Sequence, residues 1–438
     1  MRIVVIGAGA IGCYLAARLS DAGEQVTLVG RPDQVAAISA NGLLVRDSRD
    51  EAQSPAQGVA KAARRYQLPA VTRLEDIAGT APETDQEDHL VLLAVKTQDV
   101  PNACQVLREW REQGHIALET PILTLQNGVR ADALAAQELG EAAIVGGVVM
   151  CAVTFTQPGE ISVQFPGWLI VGEPFGPVGK RTQAIVNTLN AAIPTFLTHD
   201  LRAVRWSKLI TNLNNGICAA TGLTMPQVAR DPAGALIAAR MMQEGQRVAK
   251  AAGVRLDHGL YGLSLRALRR DSNAALVALL QSLMNGAMAR MPAGLAARLL
   301  ALAGRSRLGN LPIRGSTWQS LARGKASEIA YLNGEIVRQG NELGVTTPYN
   351  TRLVALVKQV ERTGTFFPLA ALEPSRDGHT ASDREDDLPG ASPEARLQQR
   401  PASAGEERAT ASGAALGRGP MAAHPDAIAH PDKEQSPT

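Results

Sequence analysis

The segment Gly7-Ala8-Gly9-Ala10-Ile11-Gly12 constrains the fold of this chain more than any other part of it. It follows the apolar run Ile3-Val4-Val5-Ile6 directly and opens a helical pattern from Cys13 to Ala22. In a strand–turn–helix unit the first such glycine permits the tight turn, the second lets an anion approach the backbone, and the third lets helix and strand pack closely. The helix that starts there directs free N–H groups and the positive end of its dipole at a phosphate. The glycine pattern alone is weak evidence. A second apolar run, Val26-Thr27-Leu28-Val29, completes a βαβ unit around it and makes Gly7, Ala8, Gly9, Ala10, Ile11 and Gly12 the expected dinucleotide-binding residues.

Further continuous apolar runs lie at Leu90-Val91-Leu92-Leu93-Ala94-Val95, Ile122-Leu123-Thr124-Leu125 and Ile144-Val145-Gly146-Gly147-Val148-Val149. Strands apolar on both faces and separated by helices indicate a parallel sheet covered on both sides. Residues 1–198 are therefore expected to form a Rossmann-type, doubly wound α/β domain. Residues 199–364 show helical spacing almost throughout, as in Ala274 to Leu283 and Tyr331 to Leu343, and are expected to form an all-helical domain. Residues 365–438 hold nine of the 25 prolines, one Ile and no Val, Trp or Tyr. Such a segment buries too little apolar surface to offset its ordering entropy, so a disordered tail is expected from about Ala370. The polar stretch from Asp47 to Gln67 is expected to be a surface insertion.

Composition excludes several classes of function. Forty-four basic against 42 acidic side chains leave a formal charge of +2, without the cationic excess that nucleic acid demands. Cys13, Cys104, Cys151 and Cys218 lie far apart without ligand spacing, so no metal site or disulfide is expected, and reduced thiols fit a cytoplasmic protein. His379, His424 and His430, all in the tail, also lack ligand spacing. No apolar run is long enough to span a membrane, and glycines interrupt the N-terminal run before it could serve as a signal peptide.

The end of the second strand selects the dinucleotide. An NAD-preferring site places a carboxylate there for the ribose 2′-hydroxyl. This chain places Gly30-Arg31, and a guanidinium suits a 2′-phosphate, so NADP(H) is the expected cofactor. Lys96 and Asn127 follow the third and fourth runs and belong at the carboxyl edge of the sheet, where open α/β folds bind ligands. Asn127-Gly128 is equally readable as a simple turn.

Eight of the 44 basic residues are lysine. Arginine keeps its proton in proteins, whereas a desolvated lysine can release one, so Lys208 in the apolar pattern Trp206 to Ile210 is a candidate proton donor. Asn212 and Asn215, four and seven residues on, are expected to share one helical face with Lys208. Burying that polar stripe without partners would be costly, which suits a polar cleft. Ser316 and Ser320 form a second polar pair one turn apart. Glu328, after Ser327, reads either as a site carboxylate or as a helix-start residue favoured by the dipole. His199 is a weaker rival donor than Lys208.

Taken in order, Gly7 to Gly12, Arg31, Val95-Lys96, Gln126-Asn127-Gly128, Pro158-Gly159, Trp206-Ser207-Lys208-Leu209, the block Ser316 to Gly334 and Thr347 to Leu353 resemble the ketopantoate reductase family, from Met1 to about Glu361. The resemblance implies NADPH-dependent reduction of a small-molecule 2-oxo acid, with ketopantoate, converted to pantoate in pantothenate biosynthesis, as the leading substrate. It implies Lys208 as general acid and Glu328 as its catalytic partner. Asn212, Asn215 and Ser316 would hold substrate, and Lys96, Asn127 and Ala152 would contact cofactor. A homodimer is the implied assembly. The chain departs from the pantoate-forming pattern at Gly216, at Leu223 to Pro226 and at Ser320. Reduction of a different oxo acid, and a non-catalytic NADP(H) sensor, are the alternative readings.

Overall fold

A computed structural model describes residues 1–47, 63–80, 89–256, 291–304 and 315–374. The expected helix at Ala274 to Leu283, most of the 47–67 insertion and the three tail histidines lie outside these residues. The core strand β1 (Arg2–Ile6) places Ile3 and Val5 against α1 (Ala10–Asp21), and Val4 and Ile6 on the opposite face. Both faces are covered, which is why the run is apolar without alternation. In chain order there follow β2 (Gln25–Val29), α2 (Pro32–Asn41), β3 (Leu43–Asp47), β4 (Arg64–Tyr66), β5 (Ala70–Val71), β6 (His89–Leu93), α3 (Val100–Glu112), β7 (Ile122–Thr124), α4 (Ala131–Leu139) and β8 (Ile144–Val149). Then come β9 (Ala152–Gln157), β10 (Glu160–Phe165), β11 (Leu169–Gly172), α5 (Lys180–Ala192) and β12 (Thr195–Leu197).

Eight strands form one sheet in the order β12-β11-β8-β7-β6-β1-β2-β5. The five runs read from sequence are its contiguous centre. β1 pairs in parallel with β2 on one side and β6 on the other, so the chain reverses direction across the sheet there and opens a crevice at the carboxyl edge. Two features depart from a purely parallel sheet. β11 runs antiparallel to β8, and β12 continues parallel to β11. A second sheet, β4-β3-β10-β9, forms from more polar segments, with Gly159 at positive φ turning the β9–β10 hairpin. β4 lies within the expected insertion, as an edge strand whose Arg64 and Arg65 are exposed.

The helical half comprises α6 (Leu201–Asn212), α7 (Asn215–Thr221), α8 (Met225–Arg230), α9 (Pro232–Ala251), α10 (Ala293–Gly304), α11 (Ser316–Ala322), α12 (Asn333–Leu343) and α13 (Pro348–Thr363). Its core surrounds α9, which buries Ile237, Met241, Met242 and Val248. The Asp231 side chain accepts from the N–H groups of Ala233 and Gly234 at 2.8 and 2.9 Å and starts α9 ahead of Pro232. Buried Glu244 accepts from the N–H groups of Tyr349 and Asn350 at 2.9 and 3.0 Å, so α9 caps α13.

The expected tail boundary needs correction. Residues 365–374 pack on this core: Phe367 and Leu372 are buried, the Phe367 N–H donates to the Ala220 carbonyl at 2.9 Å, and Arg352 donates to the Ala371 carbonyl at 2.8 Å. The apolar residues of Phe366 to Leu372 precede the composition change, and a window averaged over 74 residues concealed them. The expectation for residues beyond 374 lies outside the described residues.

Candidate active site

The glycine turn is built as its spacing requires. Gly7 has φ +108°, and a Cβ there would lie 2.7 Å from the backbone of Ala94 and Val95. A Cβ on Gly12 would meet the Gly7 carbonyl oxygen at 2.1 Å, whereas one on Gly9 would meet nothing within 4 Å. Gly7 and Gly12 therefore serve the packing, and Gly9 leaves open space in front of a helix that has no side-chain cap. The uncapped N–H groups and that space fit the pyrophosphate of a dinucleotide. Beside them a cavity of about 400 Å³ opens between the ends of β1 and β2 and α3, lined by the apolar Ile6, Val29, Leu74, Ala103 and Val106 and by Thr72, Arg73, Glu75 and Glu109. Arg31, exposed at the start of α2, stands at the same edge. Burial, together with the nearby cations Arg31 and Arg323, holds Lys325 below the usual lysine range, so the helical half adds cations to the Arg31 corner.

Further along the edge, Lys96 and Thr97 follow β6 and reach the helical half. The Lys96 ammonium donates to Ser320 Oγ at 3.1 Å and to the Ala326 carbonyl. Burial lowers its pKa and Glu328 opposes that. Glu328 Oε1 accepts from both the N–H and the Oγ1 of Thr97, each at 3.0 Å. The carboxylate thus caps the turn after β6 across the cleft, instead of its own helix as one sequence reading had it. Thr97 Oγ1 also lies 3.3 Å from the Asn127 carbonyl. Gly128 has φ +89°, and a Cβ there would lie 2.7 Å from the Tyr331 carbonyl oxygen, so the Asn127-Gly128 turn is shaped by contact with the helical half.

On that half, the Lys208 side chain is half-buried and its ammonium donates to the Val149 carbonyl at the end of β8. Its pKa is lowered from the usual lysine range to about 8, chiefly by burial and also by Arg205, against the opposing effects of Cys151 and Glu328. Ala152, which opens β9, directly follows Cys151, whose thiol burial pushes up to about 12. Asn212 Nδ2 approaches Asn127 Oδ1 at 3.4 Å. Lys208, Asn212, Asn127, Thr97 and Glu328 are thereby brought together.

Asn215 does not share their helical face. The helix tightens after Asn212, where the Leu213 N–H bonds the Ile210 carbonyl and Asn333 takes the Leu213 carbonyl at 3.2 Å. Asn215 opens α7 instead and packs on Gly315, where a Cβ would lie 2.7 Å from its side chain. That places it beside Ser316, which is exposed at the start of α11. His199 is exposed in the turn before α6. Among the described residues no cluster of side chains could hold a metal, and no helix is long and apolar enough to cross a membrane.

Sequence reasoning passed over Thr97, Arg205 and Asp132. Thr97 carries no pattern in the sequence. Arg205 carried a signal, being a charge on the apolar side of α6, but its partner Asp132 is 73 residues away.

Comparison with known proteins agrees with this geometry. The family model described as ketopantoate reductase PanE/ApbA matches residues 3–175, and that of its C-terminal part matches residues 200–361. A 2-dehydropantoate 2-reductase of Mesorhizobium japonicum is 29% identical over 283 residues, covering 59% of this chain and 79% of that protein. One from Pyrococcus horikoshii is 24% identical over 371 residues, covering 83% and 99%. The solved structure of a PanE/ApbA family ketopantoate reductase from Ralstonia eutropha is 28% identical with a TM-score of 0.60, covering 83% of this chain and 99% of that one. A D-mandelate dehydrogenase solved with NADH and anilino(oxo)acetate, at 20% identity and a TM-score of 0.61, shares the fold. With both halves of the family matched in order over a glycine turn, a crevice and a half-buried lysine, the chain belongs to the ketopantoate reductase family of pyridine-nucleotide oxidoreductases.

Proposed function

We propose that this chain is a cytoplasmic NADPH-dependent reductase of a 2-oxo acid, with 2-dehydropantoate as the leading substrate. The observation that carries the reading is the half-buried Lys208 ammonium, held by the Val149 carbonyl, whose pKa is brought to about 8 and which feels the charge of Glu328. Bound NADPH supplies a hydride to the ketone carbon. Reduction puts charge on the ketone oxygen, and Lys208 Nζ is the donor that delivers a proton to it. To do so the ammonium exchanges its bond to the Val149 carbonyl for one to the substrate oxygen. Glu328, held by Thr97, keeps the charged form of Lys208 favourable in a site that otherwise disfavours it. Asn212, Asn215 and Ser316 orient the substrate. The Gly7 to Gly12 turn, Lys96, Asn127 and Ala152 hold the dinucleotide, and Arg31, without a carboxylate at the end of β2, favours a 2′-phosphate. None of the four cysteines is in a disulfide, which suits the reducing cytoplasm.

Two observations favour a second reading, a different 2-oxo acid. A Cβ at Gly216 would meet Leu353 Cδ2 at 2.5 Å and Asn333 Oδ1 at 3.0 Å, so a side chain there would have to displace Leu353, and Ser320 is engaged by Lys96. The test is oxidation of NADPH and of NADH, followed at 340 nm, over a panel of 2-oxo acids. Turnover with NADPH on one panel member, and loss of its advantage over NADH in Arg31→Ala, is the expected result. Cofactor binding without turnover on any member would return the chain to the sensor reading.

A further inference from the structure

We infer that the buried Arg205–Asp132 pair is a positioning device for Lys208: it ties the lysine's helix to the sheet edge and keeps a second cation one turn from the ammonium. The inference rests on the proposal that Lys208 is the proton donor.

Geometry carries the argument. Arg205 precedes Lys208 by three residues on α6 and is buried, as is Asp132 on α4. Arg205 Nη2 lies 2.6 Å from Asp132 Oδ1 and 2.9 Å from Thr124 Oγ1, and Nη1 donates to the Gln126 carbonyl at 3.1 Å. Thr124 Oγ1 closes the ring by donating to Asp132 Oδ1 at 2.5 Å. One guanidinium thus joins the helix that carries Lys208 and Asn212 to the end of β7, to α4, and to the carbonyl just before Asn127. The strand beside it is shaped to admit this group. A Cβ at Gly146 would lie 2.1 Å from Leu201 Cδ2, 3.2 Å from Arg205 Nη2 and 3.3 Å from Asp132 Oδ1. An apolar pair of similar volume would hold the same elements together at least as well, because desolvation offsets most of the attraction in a buried ion pair. What such a pair could not supply is a fixed charge.

That charge acts on Lys208. Arginine stays protonated, and a neighbouring cation disfavours a second one. The ionisable groups that face Lys208 are Arg205 from its own helix, Cys151 between β8 and β9, and Glu328 after α11. Arg205 is the member of this set that promotes release of the proton, and its charge is paired with Asp132.

The test reads Lys208 itself, by carbon NMR titration of protein labelled at lysine Cε, with the resonance assigned by its loss in Lys208→Ala. Asp132→Asn removes the counter-charge of Arg205 and is expected to move the titration to lower pH. Arg205→Met is expected to move it to higher pH, each by on the order of one unit. Opposite shifts are the signature. A pair that only holds the fold would lower stability in both variants while leaving the titration in place or moving it the same way, and either result overturns the inference. Should a single variant fail to fold, Arg205→Met with Asp132→Asn is neutral and keeps the test; it is expected to titrate higher, and an unchanged titration again overturns the inference. No substrate or cofactor enters the measurement. Opposite shifts together with full turnover in Lys208→Ala would therefore remove the proton-donor reading and leave the effect of the pair on the lysine intact.

Discussion

At the scale of single residues, the chemistry proposed for this chain depends on where one ammonium loses its proton. Burial brings Lys208 to about 8, and ketone reduction uses its charged form. The reductive rate should therefore be flat at low pH and fall about tenfold per unit above about 8, while oxidation of the hydroxy acid rises toward the same point. A pH profile of kcat in both directions checks this sign. Lys208→Ala should cut reductive kcat by about 10²- to 10⁴-fold, the usual range for a general acid, and leave the NADPH dissociation constant near its original value. Equal loss of both would make the lysine structural. The sequence drew attention to Lys208 because lysine is scarce in this chain and the surrounding pattern is apolar. It could not supply the Val149 carbonyl or Arg205, because the depth of a side chain depends on what packs over it.

At the scale of elements, period and glycine placement made the five central strands and α1 legible. A strand covered on both faces must be apolar throughout, and only one helix start accommodates the turn at Gly7. Less was readable where elements are short or polar. β3 and β4 are stabilised by pairing and their sequences carry little alternation, whereas β10, Glu160-Ile161-Ser162-Val163-Gln164-Phe165, alternates and carried a strand signal that sequence reasoning passed over. The break after Asn212 is likewise invisible in a helical pattern, since it depends on Asn333 arriving from α12. The segment 365–374 is the clearest case. Ending the chain at Gly364 should destabilise it by about 2–4 kcal/mol relative to ending it after Pro374, because Phe367 and Leu372 lose their burial. Equilibrium denaturation of the two lengths measures this, and equal midpoints would show that the segment adds nothing.

At the scale of the whole molecule, the described residues belong to one compact unit, and the site is closed by contacts between its α/β half and its helical half. Lys96 with Ser320, Thr97 with Glu328, Asn127 with Asn212 and Arg205 with Asp132 all cross that boundary. Thr97→Val removes one of two bonds to the carboxylate while keeping the shape of the side chain. It should lower kcat about tenfold, in line with one hydrogen bond to a charged group, and leave NADPH affinity unchanged; Thr97→Ser should restore the rate. Valine at full activity would show that the backbone bond alone positions Glu328.

The chain carries in its own order the information for a dinucleotide turn, a parallel core and a helical second half, because periodicity and glycine sterics act between neighbours in sequence. The depth of Lys208, the grip of Thr97 on Glu328 and the pairing of Arg205 with Asp132 were decided by folding alone. Each joins residues at least 57 positions apart, and desolvation and charge act through space, where a linear pattern has no reach.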